Sequence, residues 1–427
     1  MKIAVPDFIK EILKTINDYG YEGYIVGGAV RDAIIGKDND DYDICTNMPL
    51  EEINKIFPAF KIMKENNHRN TGIIKINDKE IEISTFKGNS LNEDLSNRDF
   101  TINSLACDVD GNIIDYFNGI KDINSKRISL VNKEGLGLEI DPLRILRALR
   151  FQGKLGFTIS EETKQLIEDK SYLLNTIAPE RILSEFIKML NCTNFTDIIR
   201  NNKKVLCTII PELEDSIDFN QNNRHHIYNV FDHTMKVIDG VPKDNFELKI
   251  AALFHDLGKP KAYTEDEYGE GHFYGHNEIS CRIFADFARK YRMNKDMTKK
   301  ISKLIYYHDY EPSIKPVKMK KFLLEFGIED LPLLFRLKEA DIKAQNPEYI
   351  YRLAELRKKE KLYKDLINSN ECLSIKNLKI NGSYLKEMGF YNEEIGIVLK
   401  DVFKRIIENQ LENDEDKINE YITSKYK

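Results

Sequence analysis

Hydrophobic periodicity changes once along this chain of 427 residues, and that change limits what the chain can fold into. Short β-like runs occur only before about residue 130, at Tyr24–Val26, Tyr42–Cys45, Ile73–Ile76 and Ile81–Phe86. Asp110–Gly111 reads as a hairpin turn between Cys107–Val109 and Ile113–Ile114. Ahead of them, Phe8, Ile9, Ile12, Leu13 and Ile16 share one face of a helix over 6–19 that Gly20 stops. From Asp141 onward the spacing is helical, in Leu143–Phe151, Ser160–Leu174, Pro179–Leu190 and most of the remaining chain. The expectation is an α+β fold, with a mixed sheet and helices first and an all-α body after it. Its divisions are expected at 1–130, 131–215, 216–345 and 346–427.

Composition excludes several classes. Hydrophobic residues make up 41% and charged residues 31%, too much apolar material for a mostly disordered chain. No stretch approaches the roughly 18–20 apolar residues that a membrane-spanning helix needs. Residues 1–20 carry Asp7, Lys10, Glu11 and Lys14 among periodic apolar positions, the pattern of a helix rather than a signal peptide. The six cysteines are scattered with no Cys-x-x-Cys pair, which points to reduced thiols and a cytoplasmic protein. The net charge of −6 opposes nucleic-acid binding on average, but it hides local basic runs. Lys295–Lys321 holds eight lysines against Asp296, Asp309 and Glu311, and Arg352–Lys364 holds six basic residues against Glu355 and Glu360. Such runs are ordinarily solvated helix faces and gain meaning only if another feature requires an RNA.

That feature lies in Tyr24-Ile-Val-Gly-Gly-Ala-Val-Arg-Asp32, followed by Asp41-Tyr-Asp-Ile-Cys45. Side chains alternate along a strand, so Asp41 and Asp43 face one way and Tyr42 the other. Two carboxylates side by side repel unless a cation lies between them, and hard oxygen ligands at this spacing suit Mg²⁺ carrying a triphosphate. Gly27 and Gly28 allow close backbone approach at a helix start, where free N–H groups and Arg31 can hold phosphate oxygens. A lone Asp-x-Asp is usually a solvated turn; joined to strand–Gly-Gly–helix–Arg-Asp it resembles the signature of the tRNA nucleotidyltransferase and poly(A) polymerase head family, of the bacterial class II type. Asn97-Arg-Asp-Phe-Thr-Ile-Asn-Ser104 is similar to the family block in which the arginine, here Arg98, contacts the incoming nucleotide. Asp141-Pro-Leu-Arg-Ile-Leu-Arg-Ala-Leu-Arg-Phe151 is similar to its base-selecting helix, with Arg144, Arg147 and Arg150 in a strip.

The resemblance implies a polymerase-β-like nucleotidyltransferase head, a neck of base-selecting and RNA-binding helices, and a helical tRNA-binding tail. Its partners would be CTP, ATP and the tRNA 3′ end, with no membrane, and Mg²⁺ would sit in the head. A third carboxylate is expected on a neighbouring strand; Glu82 alternates suitably, and a plain surface glutamate is the other reading. A carboxylate and a guanidinium at Asp141 and Arg144 match the amino donor and ring-nitrogen acceptor that cytosine and adenine share, while uracil and guanine reverse that order. The remaining arginines would serve the triphosphate and the RNA end. Two departures stand out. Many members have an acidic residue where this chain has Ile140, and between Phe86 and Arg98 only Lys87–Asn97 remains, without an Arg-x-Pro element. That shortened loop resembles enzymes that add only the two cytidines.

Seven of the eight histidines fall between 225 and 308, with His68 apart. His233, then Leu253-Phe-His-Asp-Leu-Gly-Lys259, Gly275-His-Asn277, His308-Asp309 and Asp341 resemble the HD phosphohydrolase superfamily. By that match His233, His255, Asp256 and Asp341 would hold one divalent ion and His276 with His308 a second. His225 and His226 would flank the mouth or have no role. The reading is a nucleotidyltransferase completing the tRNA 3′ end, with a module that hydrolyses phosphate esters. Its rivals are a CC-only or A-only enzyme and, in another class, a metal phosphohydrolase or RNA-binding protein with an inactive head.

Overall fold

The strand Tyr42–Thr46 is where the fold is organised, because its two faces are buried by different partners. A computed structural model describes residues 1–63, 71–76, 79–369 and 371–427; His68 lies outside them. The chain forms two compact units, Met1–Ile209 and Ile210–Lys427.

The main sheet of the first unit is built from β1 (Gly23–Val26), β2 (Tyr42–Thr46), β3 (Lys61–Met63), β4 (Thr71–Ile76), β5 (Lys79–Thr85), β6 (Ala106–Cys107) and β7 (Ile113–Ile114). They form one mixed sheet in the order β3-β4-β5-β2-β1-β6-β7. β2 runs antiparallel to β1 and parallel to β5, a register that sets Asp43 beside Glu82 and Ile44 beside Ile83. Alternation then sorts the faces. On one, the helix Asp7–Asp18 buries Ile9, Ile12, Leu13 and Ile16, and Phe8 meets Tyr42 edge-on at 5.8 Å. On the other, Leu91 and Leu95 cover Cys45, Val26 and Ala106. Asp43 lies two residues from Cys45 on that second face, so it emerges where the cover ends.

The expected strands, the first helix and the 107–113 hairpin are all present. The structure adds β3 and the two-residue pairs Arg127–Ile128 with Thr158–Ile159 and Thr264–Glu265 with Gly271–His272. Two residues carry no periodicity, so the stretch after Asp141 reads as purely helical when it is not. Ser160–Leu174 is a helix over Glu161–Asp169 and a 3₁₀ turn over Ser171–Thr176. The arginine-bearing helix spans Arg144–Leu155 and comes after a short helix at Leu136–Ile140, so Pro142 lies in the link between them.

Among its described residues the second unit is helical but for the paired Thr264–Glu265 and Gly271–His272. Val230–Gly240, Phe246–Phe254, His276–Lys290, Lys295–Tyr307 and Leu331–Lys343 form a bundle whose interior includes Phe254, Phe284 and Phe335. The tail has its own core of Leu385, Val398, Val402, Ile418 and Ile422. No helix among the described residues is long and apolar enough to cross a membrane.

Candidate active sites

A cleft of about 620 Å³ in the first unit is lined by every residue singled out there: Gly28, Arg31, Asp41, Asp43, Arg98, Asp141, Arg144, Arg147 and Arg150, with Glu82 among them. The parallel pairing of β2 with β5 brings Glu82 to the aspartates, which alternation along one strand cannot decide. Burial, then the charges of Glu82 and Asp41, push the Asp43 carboxyl up to about 6, against a smaller opposing pull from Arg98. Three carboxylates lining one cleft are oxygen donors of the kind a divalent cation takes.

The basic wall is braced rather than free. Arg31 is buried and bonds Asp32 at 2.8 Å and the Asn103 side-chain oxygen. Arg98 donates to Asp94 at 3.1 Å. Gly27 has φ of 72°, which favours glycine, and a Cβ there would stand 3.1 Å from the Arg98 guanidinium and crowd it. Arg147 pairs with buried Asp99 and Arg150 with Glu185 at 2.7 Å. Burial alone would raise the Asp99 carboxyl; Arg147 and the Asn103 amide outweigh it and hold it down. Arg144 donates to the carbonyls of Arg98, at 3.1 Å, and Asn97. Asp141 accepts from Arg181 at 3.2 Å. The arginine strip exists, with each member held by a different acceptor. Nothing in the sequence marks Asp94, Glu185 or Arg181; Asp99 stands inside a motif, but its bracing of Arg147 has no local sign.

In the second unit His233, His255, Asp256, His276, His308 and Asp341 converge from five helices or their ends. Asp256 lies between two groups: Oδ2 is 3.4 Å from His233 Nε2 and 3.2 Å from His255 Nε2, while Oδ1 is 3.4 Å from His276 Nε2 and 3.5 Å from His308 Nε2. Asp341 Oδ1 approaches His233 Nε2 at 3.0 Å. Each imidazole turns Nδ1 to a backbone carbonyl, at Ala344, Ala252, Phe273 and Ile305, leaving Nε2 toward the centre. That orientation suits metal ligation. His233 Nε2, His255 Nε2 and Asp256 Oδ1 are buried outside any hydrogen bond, an arrangement a divalent ion resolves. The residues therefore fit such an ion. Asp256 groups with His233 and His255, as expected, and also with His276 and His308.

Buried Lys259 also forms an ion pair with Asp256, at 2.7 Å, and bonds Gln221. Its place in His-Asp-Leu-Gly-Lys was legible; its contact was not. His226 packs against His233, and burial with Lys259 nearby lowers its imidazole to about 2, so it stays neutral. His225 packs on Tyr349. The basic runs expected to be solvated are largely engaged: Lys300 with Glu247, Lys303 with Asp330, Lys321 with Glu408, and Arg352 and Lys359 with Glu311.

Comparison with known proteins respects the same division. Residues 23–129 match the poly A polymerase head domain, 156–215 the probable RNA and SrmB-binding site of polymerase A, and 224–348 the HD domain. A CCA-adding enzyme of Lactobacillus johnsonii is 41% identical over 194 residues, 42% of this chain and 48% of that protein. The chain thus spans about half the length of that relative. A CCA-adding enzyme of Lactococcus lactis subsp. cremoris is 28% identical over 95% of this chain and 92% of its own. The fold is similar to the Bacillus stearothermophilus CCA-adding enzyme in complex with CTP, with a TM-score of 0.69 and 22% identity over 99% of this chain and 98% of that one. It is also similar to the Thermotoga maritima CCA-adding enzyme complexed with tRNA, with a TM-score of 0.61 and 21% identity over 98% and 96%.

Proposed function

We propose template-independent addition of CMP and AMP, from CTP and ATP, to the tRNA 3′ end, for a chain whose segments match the poly A polymerase head, an RNA-binding domain and an HD domain. One observation carries this reading: a single cleft holds the three carboxylates and, on another wall, Asp141 and Arg144. Asp41, Asp43 and Glu82 would hold Mg²⁺, which when bound activates the attacking hydroxyl and stabilises the leaving pyrophosphate. Arg98 and Arg31 line the same space for phosphate oxygens. Asp141 Oδ1 is braced by Arg181, so Oδ2 accepts from the amino group of cytosine or adenine while Arg144 donates to the ring nitrogen. Uracil and guanine would lose both bonds, at roughly 1–3 kcal/mol each.

A second reading, CC addition only, is favoured by one specific feature. Lys87–Asn97 is a tied-down turn and helix, Leu91–Ser96, and the carbonyls of Asn97 and Arg98 just beyond it hold Arg144. Fixing Arg144 in one place suits one base size. The HD cluster, as a two-ion centre, would hydrolyse a phosphomonoester or cyclic phosphate at an RNA end. An inactive head is disfavoured by the complete carboxylate set. The four divisions at 130, 215 and 345, a cytoplasmic site of action and tRNA contact through the second unit belong to this proposal.

The test offers three tRNA transcripts, ending at the discriminator base, at C and at CC, with CTP or ATP separately. AMP addition to the CC-ending transcript at a rate comparable to CMP addition establishes three-nucleotide addition. Arrest at CC, relieved by a longer loop grafted between Phe86 and Asp94, establishes the CC-adding enzyme. Failure to incorporate either nucleotide removes the proposal.

A further inference from the structure

The six HD ligands come from five helices or their ends, so something must hold the ends of the set in register. Asp341 uses Oδ1 toward His233 and accepts at Oδ2 from Gln345 Nε2 at 3.1 Å. Gln345 Oε1 accepts from Arg352 Nη1 at 2.8 Å, and Arg352 Nη2 donates to Glu311 Oε1 at 3.3 Å. Glu311 faces Lys338 Nζ at 3.2 Å, and Lys338 donates to the His308 carbonyl at 2.8 Å. Gln345 is 7% exposed and Lys338 3%. An unbroken run of polar contacts therefore joins one ligand, Asp341, to another, His308, on the opposite side of Asp256.

We propose that Arg352 is a positioning residue of the HD centre, its guanidinium tying the Asp341 and His308 ends of the ligand set together through Gln345 and Glu311. The proposal rests on reading the cluster as a divalent-ion site. A guanidinium is suited to this task, since its planar fork serves two acceptors in fixed directions where an ammonium is a single point charge. The same contact assigns the Gln345 amide: only this orientation gives a donor to Asp341 and an acceptor to Arg352. Arg352 opens a basic run, and this arrangement gives it a purpose other than meeting phosphate.

The experiment uses the full chain, stripped of metal and titrated with Co²⁺, followed by its d–d absorption and by calorimetry. Arg352→Ala is expected to weaken Co²⁺ binding about 10–100-fold and to change the d–d band, as loss of an outer partner does at other metal sites. Arg352→Lys should restore only part of the affinity. Lys338→Met, which cuts the run at the other end, should weaken the ion held by His276 and His308 more than its neighbour. Where Arg352→Ala fails to fold, Gln345→Leu breaks the run one bond from Asp341. Unchanged affinity and spectrum in the folded Arg352→Ala or Gln345→Leu protein overturn the proposal. A parent protein that binds no Co²⁺ instead overturns the metal-site reading beneath it.

Discussion

Asp43 shows most directly how a single residue records its function. Its carboxyl is raised from the ordinary 3.8 to about 6 by burial and by Glu82 and Asp41. The folded state therefore binds this proton more tightly than the unfolded chain, so the group's stabilising contribution is complete below about pH 4 and lost as pH rises through about 6. A rise of this size corresponds to roughly 3 kcal/mol of destabilisation near pH 7.5 without a cation. Asp43→Asn should then unfold at higher temperature than the parent at pH 7.5 without Mg²⁺, with the gap closing at pH 5. Adding Mg²⁺ should stabilise the parent and leave the variant unmoved, while CMP incorporation by the variant falls at least about 10³-fold. A parent that Mg²⁺ does not stabilise speaks against this site. Asp41 and Asp43 were legible because residues two apart along an extended segment share a face. Arg181 and Gln345 were not, because nothing local marks a side chain whose partner is distant in sequence or around a helix end.

At the scale of elements, the segment between Phe86 and Arg98 matters most. The sequence shows it as a shortened loop, whereas the structure shows a capped helix at Leu91–Ser96 with Ser90 accepting from the Glu93 amide at 3.3 Å. Asp94 then does two things: it accepts from the Lys87 amide at 3.0 Å and from the Arg98 guanidinium. Asp94→Asn should loosen Arg98 and raise KM for CTP about tenfold, roughly 1.4 kcal/mol, with kcat changed less. Equal losses in kcat and kcat/KM would mean instead that Arg98 acts only in the transition state. Ser90→Ala should cost about 1 kcal/mol, read from denaturant unfolding, since it removes a helix cap. The short pairs at 127–128 and 158–159 escaped sequence reading for a different reason: a two-residue strand is defined by its partner and not by its own pattern.

For the whole molecule, each compact unit carries one complete cluster. The head residues all lie before Ile209 and the HD ligands all after it. His255→Ala with Asp256→Ala should abolish metal-dependent phosphoester hydrolysis and spare CMP incorporation, assayed on the same folded protein. Loss of both activities together would refute two separate sites. Replacing Asp256 also strands the ammonium of Lys259, which is buried against it at 2.7 Å. Removing one partner of a buried ion pair costs roughly 3–5 kcal/mol, because the other charge is left uncompensated. Asp256→Ala should therefore lower stability in denaturant unfolding, and adding Lys259→Met should recover part of the loss. An Asp256→Ala protein as stable as its parent would mean that Lys259 finds another acceptor.

What the sequence by itself determined is what neighbours along the chain enforce: the change from strand to helix periodicity, Asp41 and Asp43 on one face, and the spacing of Arg144, Arg147 and Arg150. The order of the histidines and aspartates from 233 to 341 belongs with these, though it is read through family resemblance. Tertiary structure alone decided which acceptor holds each arginine, that Glu82 joins the aspartates, and that Asp256 stands between two groups of imidazoles. The reason is physical. Periodicity reports which face of an element is apolar, but the partner of a buried charge is chosen by packing between elements far apart in the chain, and no local pattern carries that choice.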